Sequence, residues 1–177
     1  MAYPHTALGG AFVVRKVQNT SSFFEGPALI YTLSKLLHLS AAIVWLGGMT
    51  FMLLALRPAA AQLLQPPARI PLLASVMGRF FPLVWFSIAV LLLTGVGMLI
   101  SVGMKAAPLG WHLMLGIGVL MFAIFGHLYF GPFRRAKLVI AASDWPEAGR
   151  LLGQVQKMVQ INFALGWLAV ACVLLVR

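Results

Sequence analysis

The chain has 177 residues, of which 62% are hydrophobic and only 9% are charged. A soluble globule of this size would lack the polar residues that cover its surface, so the composition excludes that class and indicates an integral membrane protein. The net charge of +10 comes from thirteen lysines and arginines that lie between apolar runs rather than in a stripe interleaved with aromatic residues. We therefore expect these charges to meet membrane lipids with anionic headgroups and not nucleic acid.

Residues 1–28 are predicted to form an N-terminal tail, flexible or lying in the membrane interface, ahead of a membrane domain over residues 29–177. The apolar patch at residues 7–14 is too short to span a bilayer. Arg15 and Lys16 follow that patch, whereas a cleavable signal carries its basic region first. We therefore expect no signal peptide.

Four apolar segments are long enough to cross a bilayer, at about residues 36–56, 82–102, 110–130 and 158–176. Each gives about 30 Å of helix, which is the thickness of a hydrocarbon core. Proline is expected to mark their boundaries, because it disrupts the interior of a helix. Pro58 would follow the first span, Pro82 would open the second and Pro132 would follow the third. The predicted fold is all-α, a polytopic membrane protein built as a four-helix bundle.

Short interfacial helices are expected between the spans. Residues 66–81 place apolar and basic side chains at helical spacing, which favours a short helix lying in the membrane interface. Asp144 followed by Glu147 has the pattern of a capping box, with Pro146 tolerated in the first helical turn. A helix is therefore predicted to begin near Trp145 and to run toward the fourth span.

The distribution of basic residues predicts the topology. Eight lysines and arginines fall in residues 57–81 and 131–157, and five fall on the opposite side. Because cytoplasmic loops carry an excess of these residues, both termini are expected to face the periplasm. The expected location is a bacterial-type inner, or plasma, membrane that the chain crosses several times.

Two histidines form the main candidate site. His38 and His112 lie near the starts of the first and third spans, which the predicted topology places at the same outer face. An ionisable residue at membrane depth indicates a functional site, and two imidazoles in one layer make a ligand pair for a metal or a haem. Lys35 lies one turn before His38, from where its amine can reach the interface by snorkelling.

Methionines offer copper ligands on the same helix. Met49 and Met52 lie on the face of the first span that also carries His38 and Trp45. Soft Cu(I) favours thioether and imidazole ligands, so these residues are candidate metal ligands. Ordinary packing is the alternative interpretation, because methionine is a common filler of helical bundles.

Other polar residues have plainer interpretations. His127 and Asn162 fall near the opposite face, where a hydrogen bond between them would make His127 structural. Arg134 and Arg135 follow the third span and could hold a lipid phosphate or a haem propionate. A single haem between His38 and His112 is compatible with the sequence, but the chain offers His127 no histidine partner for a second.

Several short runs together resemble the CopD family, the membrane domain of copper resistance protein D. They lie at residues 37–49, 56–58, 79–81 with Thr94-Gly95, 125–130 and 162–166, and the resemblance covers about residues 32–176. It implies a compact multi-helix membrane protein for copper uptake or resistance. The start of the first span also distantly resembles the HemJ-type protoporphyrinogen oxidases, which implies a haem b bound through histidine.

The leading expectation is copper handling through a histidine site near the outer face. The first alternative is a b-type haem protein in electron transfer or porphyrin oxidation, and the second is a noncatalytic subunit of a membrane complex. We expect no enzymatic activity, and if there is one, it would be that of a haem-dependent oxidoreductase. Candidate partners beyond the lipids are a periplasmic copper donor or redox partner and a second copy of the chain.

Overall fold

The computed structural model describes residues 26–176, and every secondary-structure element within that range is a helix. The α-helices and the two π-helical turns that join some of them are α1 (Gly26–Phe51), a π turn (Met52–Leu56), α2 (Arg57–Leu63), α3 (Pro66–Val102), α4 (Leu109–Leu128), a π turn (Tyr129–Phe133), α5 (Arg134–Ala141) and α6 (Trp145–Leu175). The all-α prediction is confirmed. The predicted tail lies outside the described residues except for positions 26–28, which open α1.

Four long helical segments result, because each π turn joins two α-helices end to end. They cover residues 28–63, 66–102, 109–141 and 145–175, and each is long and apolar enough to cross a membrane. This confirms the prediction of a membrane bundle with four spanning helices. Every predicted span falls on one of these segments, but the segments extend well beyond the predicted ends.

The proline positions explain the difference in length. Pro58 lies in the first turn of α2, directly after a π turn in which the Arg57 N–H donates to the carbonyl of Met52. A proline ring clashes with the carbonyl four residues back in an α-helix, and the wider π turn relieves that clash. Pro132 lies inside the second π turn, and Pro82 lies inside α3. The prediction that these prolines mark the ends of spans is therefore wrong, whereas Pro108, predicted to precede the third span, directly precedes α4.

The predicted interfacial helix over residues 66–81 is helical, but it is the first part of α3 and not a separate element. Ile70, Leu73 and Met77 are buried in this part of α3. The Cδ1 atom of Ile70 lies 3.7 Å from where a Cβ on Gly149 of α6 would stand. Packing against α6 therefore draws the segment into the bundle.

The start of α6 agrees with the capping pattern. The Asp144 side chain accepts a hydrogen bond of 3.2 Å from the Glu147 N–H, and α6 begins at Trp145. The reciprocal half of the box is not formed, because the Asp144 N–H donates to the carbonyl of Val139 at 3.0 Å and the Glu147 carboxylate accepts from the Arg150 guanidinium at 2.6 and 2.7 Å. One capping bond therefore suffices to fix this end of the helix.

Consecutive long helices run antiparallel. On α1 and α3, His38 contacts Thr94 while Gly48 lies against Phe80, so residue numbers rise along one helix as they fall along the other. On α4 and α6, Gly110 lies against the backbone of Cys172, while Asn162 bonds to the carbonyl of Met121. The bundle thus has a termini end, with residues 26, 103–108 and 176, and a hairpin end, with residues 64–65 and 142–144.

We expect Gly48→Ala to lower the free energy of unfolding by about 1–3 kcal/mol, because a Cβ at Gly48 would overlap the ring of Phe80. The neighbouring Gly47→Ala is the matched control, since nothing lies within 4 Å of a Cβ at that position. Unfolding in detergent, followed by circular dichroism, compares the two. Equal effects would contradict the close packing of α1 on α3, and Phe80→Leu should partly rescue Gly48→Ala.

Candidate functional site

A cavity of about 380 Å³ lies between α1, α3, α4 and α6 in the half of the bundle nearest the termini end. His38 and Lys35 are the titratable residues in its wall, and the rest of the lining is mainly apolar. We call it the histidine cavity. Three methionines also line it: Met98, Met114 and Met121.

The hydrogen bonds of His38 fix which of its ring nitrogens is protonated. Its Nδ1 lies 2.8 Å from Thr94 Oγ1, and that hydroxyl lies 2.6 Å from the carbonyl oxygen of Val90. A carbonyl oxygen only accepts, so Thr94 donates its single proton to Val90. Thr94 must then accept from the Nδ1–H of His38. The neutral ring is left with a lone pair on Nε2, which is the form that binds metal.

The Nδ1 atom of His112 also has a hydrogen-bond partner, but His112 does not line the histidine cavity. Its Nδ1 lies 3.2 Å from the carbonyl oxygen of Pro108, so Nδ1 carries the proton and Nε2 a lone pair. Trp111 and Leu115 line the histidine cavity, whereas His112 is not part of its wall. At about 100° per residue, His112 projects from α4 well away from Trp111. Joint binding of one ligand by His38 and His112 stays a prediction.

Met49 and Met52 line a second, smaller cavity of about 30 Å³, which we call the methionine cavity. The predicted common face of α1 is present, since His38 and Trp45 line the first cavity, and Trp45, Met49 and Met52 the second. His38 and Met49 are eleven residues apart, which is about 16 Å along the helix. The histidine and the two methionines therefore belong to two separate sites.

Trp45 separates the two cavities. Only 3% of its surface is exposed, and its ring stacks on Phe122 at a centroid distance of 5.7 Å. Phe125 meets the same indole edge-on at 6.2 Å. Such aromatic contacts hold the ring in a defined position. The indole thus forms a partition between the histidine cavity and the methionine cavity.

The expected hydrogen bond between His127 and Asn162 is wrong. Asn162 donates through Nδ2 to the carbonyl oxygen of Met121 at 3.1 Å, while its Oδ1 accepts no bond from the described residues. His127 is exposed on the surface of α4. Because it faces outward, His127 is a matched control for substitutions of His38.

The remaining predicted residues lie at the ends of the bundle. The Lys35 amine stands 4.5 Å from the centre of the Tyr31 ring, in a cation–π contact at the mouth of the histidine cavity. Arg134 and Arg135 are exposed at the start of α5. Their position agrees with lipid contact but leaves a phosphate or propionate role as a prediction.

The charges of the chain limit which cation either cavity accepts. The sequence has three acidic residues, Glu25, Asp144 and Glu147. Residues 26–176 contain no cluster of three or more histidine, cysteine or acidic side chains. Hard divalent ions need carboxylates, whereas Cu(I) is bound well by neutral imidazole and thioether groups. The donor groups of the two cavities are therefore neutral imidazole, thioether and amide groups, and each cavity also has one cationic side chain in its wall, Lys35 or Arg57.

Sequence reasoning missed Thr94, Met77, Met98 and Met114, which line these cavities or contact a residue that does. Thr94 gives no signal by itself, because its partner is 56 positions away in the chain. Met77 was assigned to a separate interfacial helix, which hid its place in the wall of the methionine cavity. Met77 is recognised as a cavity residue only once α3 is known to be continuous, with Met77 buried in it.

The structure is that of a four-helix membrane protein with two interior cavities, one lined by His38 and three methionines and one lined by Met49, Met52 and Met77. A family model described as Copper resistance protein D matches residues 74–176, more than half of the chain. The chain therefore belongs to the CopD family, which associates it with copper resistance. No curated protein and no solved structure matches it. The matched region leaves out α1, so a role for His38 depends on the structure itself.

We expect the neutral His38 ring to carry its proton on Nδ1, for the reason given by the Thr94 and Val90 contacts. Nitrogen NMR of the ¹⁵N-histidine-labelled protein in detergent micelles measures this directly. Thr94→Val keeps the branched shape but removes the acceptor, so it should abolish the preference. A wild-type ring protonated on Nε2 would contradict the assigned hydrogen-bond direction.

Proposed function

We propose that the protein handles copper in uptake or resistance by binding it at Nε2 of His38 in the histidine cavity. The observation that supports this most directly is the chain of bonds from Val90 through Thr94 to His38. It keeps Nδ1 protonated and the ring oriented, as outer partners do for histidine ligands of metals. Nε2 is then the free donor in a wall that also carries thioethers.

The oxidation state follows from the other ligands. Met98 on α3 and Met114 on α4 line the same cavity as His38. One imidazole with thioethers is a donor set that favours Cu(I) over Zn(II) or Mg(II). The bound species is therefore cuprous, and copper is the cargo of the protein rather than a catalytic centre.

The proposed setting is the inner membrane, with both termini in the periplasm. In that orientation the histidine cavity lies in the periplasmic half of the bundle. A periplasmic donor would deliver copper near Lys35, and the excess of basic residues at the hairpin end would face the cytoplasm. His112 lies near the same end of the bundle but outside the wall of the histidine cavity, so the proposal assigns the copper to His38.

A b-type haem at His38 is the second candidate, and the volume of the histidine cavity favours it. At about 380 Å³ with mainly apolar walls, it falls within the range of small-molecule sites. Three glycines in the wall, Gly95, Gly118 and Gly166, would suit a flat ligand, but side chains fill part of the space beside them. The space next to Gly95 holds the His38 ring itself, at 3.2 Å.

We expect His38→Ala to weaken Cu(I) binding by about tenfold or more, because a ligand should matter at least as much as an outer-shell partner. The measurement is a titration of the purified chain against a competing Cu(I) chelator. His127→Ala removes an exposed histidine and should leave the affinity unchanged. His112→Ala in the same titration tests the predicted ligand pair. A loss of affinity like that of His38→Ala would support joint binding by the two histidines, and an unchanged affinity would contradict it.

Two results would contradict copper binding at His38. One is an affinity that is the same in His38→Ala as in the wild type. The other is stoichiometric iron with reduced-minus-oxidised visible bands that vanish in His38→Ala, which would establish the haem alternative.

A further inference from the structure

The methionine cavity brings three buried thioethers together with a buried amide. Three thioethers from two helices line it, and their exposed fractions are 3% for Met49, 7% for Met52 and 2% for Met77. Asn162 of α6 lines it as well and is 1% exposed. Soft donors from the first long helical segment and from α3 therefore meet the Asn162 amide in the interior of the bundle, and Arg57 and Gln156 also line the cavity.

The amide of Asn162 lacks one partner. Its orientation is fixed, since Nδ2 donates to the Met121 carbonyl at 3.1 Å. Oδ1 is buried and accepts no hydrogen bond from residues 26–176. A buried acceptor without a partner costs about 1–3 kcal/mol. A hydrogen-bond donor or a cation beside this oxygen would remove that cost.

We propose that the methionine cavity is a second Cu(I) site, formed by Met49, Met52 and Met77 with Oδ1 of Asn162. The choice of metal depends on the proposed function, but the site does not include His38. The free volume of about 30 Å³ has room for a water molecule or a bare ion but not for an ion with its hydration shell. Thioethers select a soft ion that sheds its water readily.

Arg57 also lines this cavity, and its charge opposes any cation there. The repulsion is half as large for a monovalent ion as for a divalent one. It lowers the affinity of the site and favours release of the ion toward the hairpin end, where α2 begins at Arg57. Neutralising Arg57 should consequently tighten binding, whereas removing a thioether should loosen it.

The two sites lie in series along α1. Trp45 lines both cavities, so an ion that moves from one to the other must pass its indole. The partition makes the sites separable by substitution. His38 controls the first, and Met49 and Met77 control the second.

The test is the Cu(I) stoichiometry of the full chain in detergent, measured by chelator competition. We expect two ions per wild-type chain, one for Met49→Leu/Met77→Leu, and one for His38→Ala. Leucine conserves volume, so the fold should tolerate the change. Met104→Leu, at an exposed position between α3 and α4, is the control and should retain two ions. Arg57→Gln should raise the affinity of the second site.

X-ray absorption at the copper edge of His38→Ala gives a second readout. Sulfur neighbours without imidazole support the second site. Two ions retained in Met49→Leu/Met77→Leu would overturn the inference, and so would a single wild-type ion that only His38→Ala removes; a water molecule would then satisfy Asn162. A wild type that binds no Cu(I) would overturn the proposed function as well.

Discussion

A hydroxyl group has one proton, and in Thr94 that proton goes to the carbonyl oxygen of Val90. The rest of the site depends on this constraint. Because Thr94 Oγ1 can then only accept from His38, the imidazole is held in one tautomer with Nε2 free. The bond also ties α1 to α3 at the termini end. At the other end of the same contact, Gly48 lets the ring of Phe80 approach the α1 backbone.

The scarcity of acidic groups gives the interior its chemical character. Asp144 and Glu147 lie at the hairpin end, and no acidic side chain among the described residues lines the histidine or the methionine cavity. The groups there that can bind a metal are neutral imidazole, thioether and amide groups, and such ligands favour a soft ion over a hard one. The copper association of the family agrees with this donor chemistry, and only His38, Met49 and Met52 among the donors lie outside the matched residues 74–176.

The sequence predicted the features that depend on local pattern. Hydrophobic length located four spanning helices, the Asp144 cap located the start of α6, and 3.6-residue periodicity placed His38, Trp45, Met49 and Met52 on one face. The sequence did not predict the features that depend on contacts between different helices. A π turn accommodates Pro58, and contacts with α6 hold residues 66–81 in the bundle as the first part of α3. The partners of Thr94 and Asn162 lie on other helices, so no local pattern could reveal them.

The most direct test is the position of the metal. Crystals of the protein grown with Cu(I) under reducing conditions would show anomalous scattering at the copper edge. Binding at His38 predicts an anomalous peak within bonding distance of its Nε2, in the wall of the histidine cavity. A peak at the iron edge in that cavity, or copper peaks only at sites remote from His38, would contradict it.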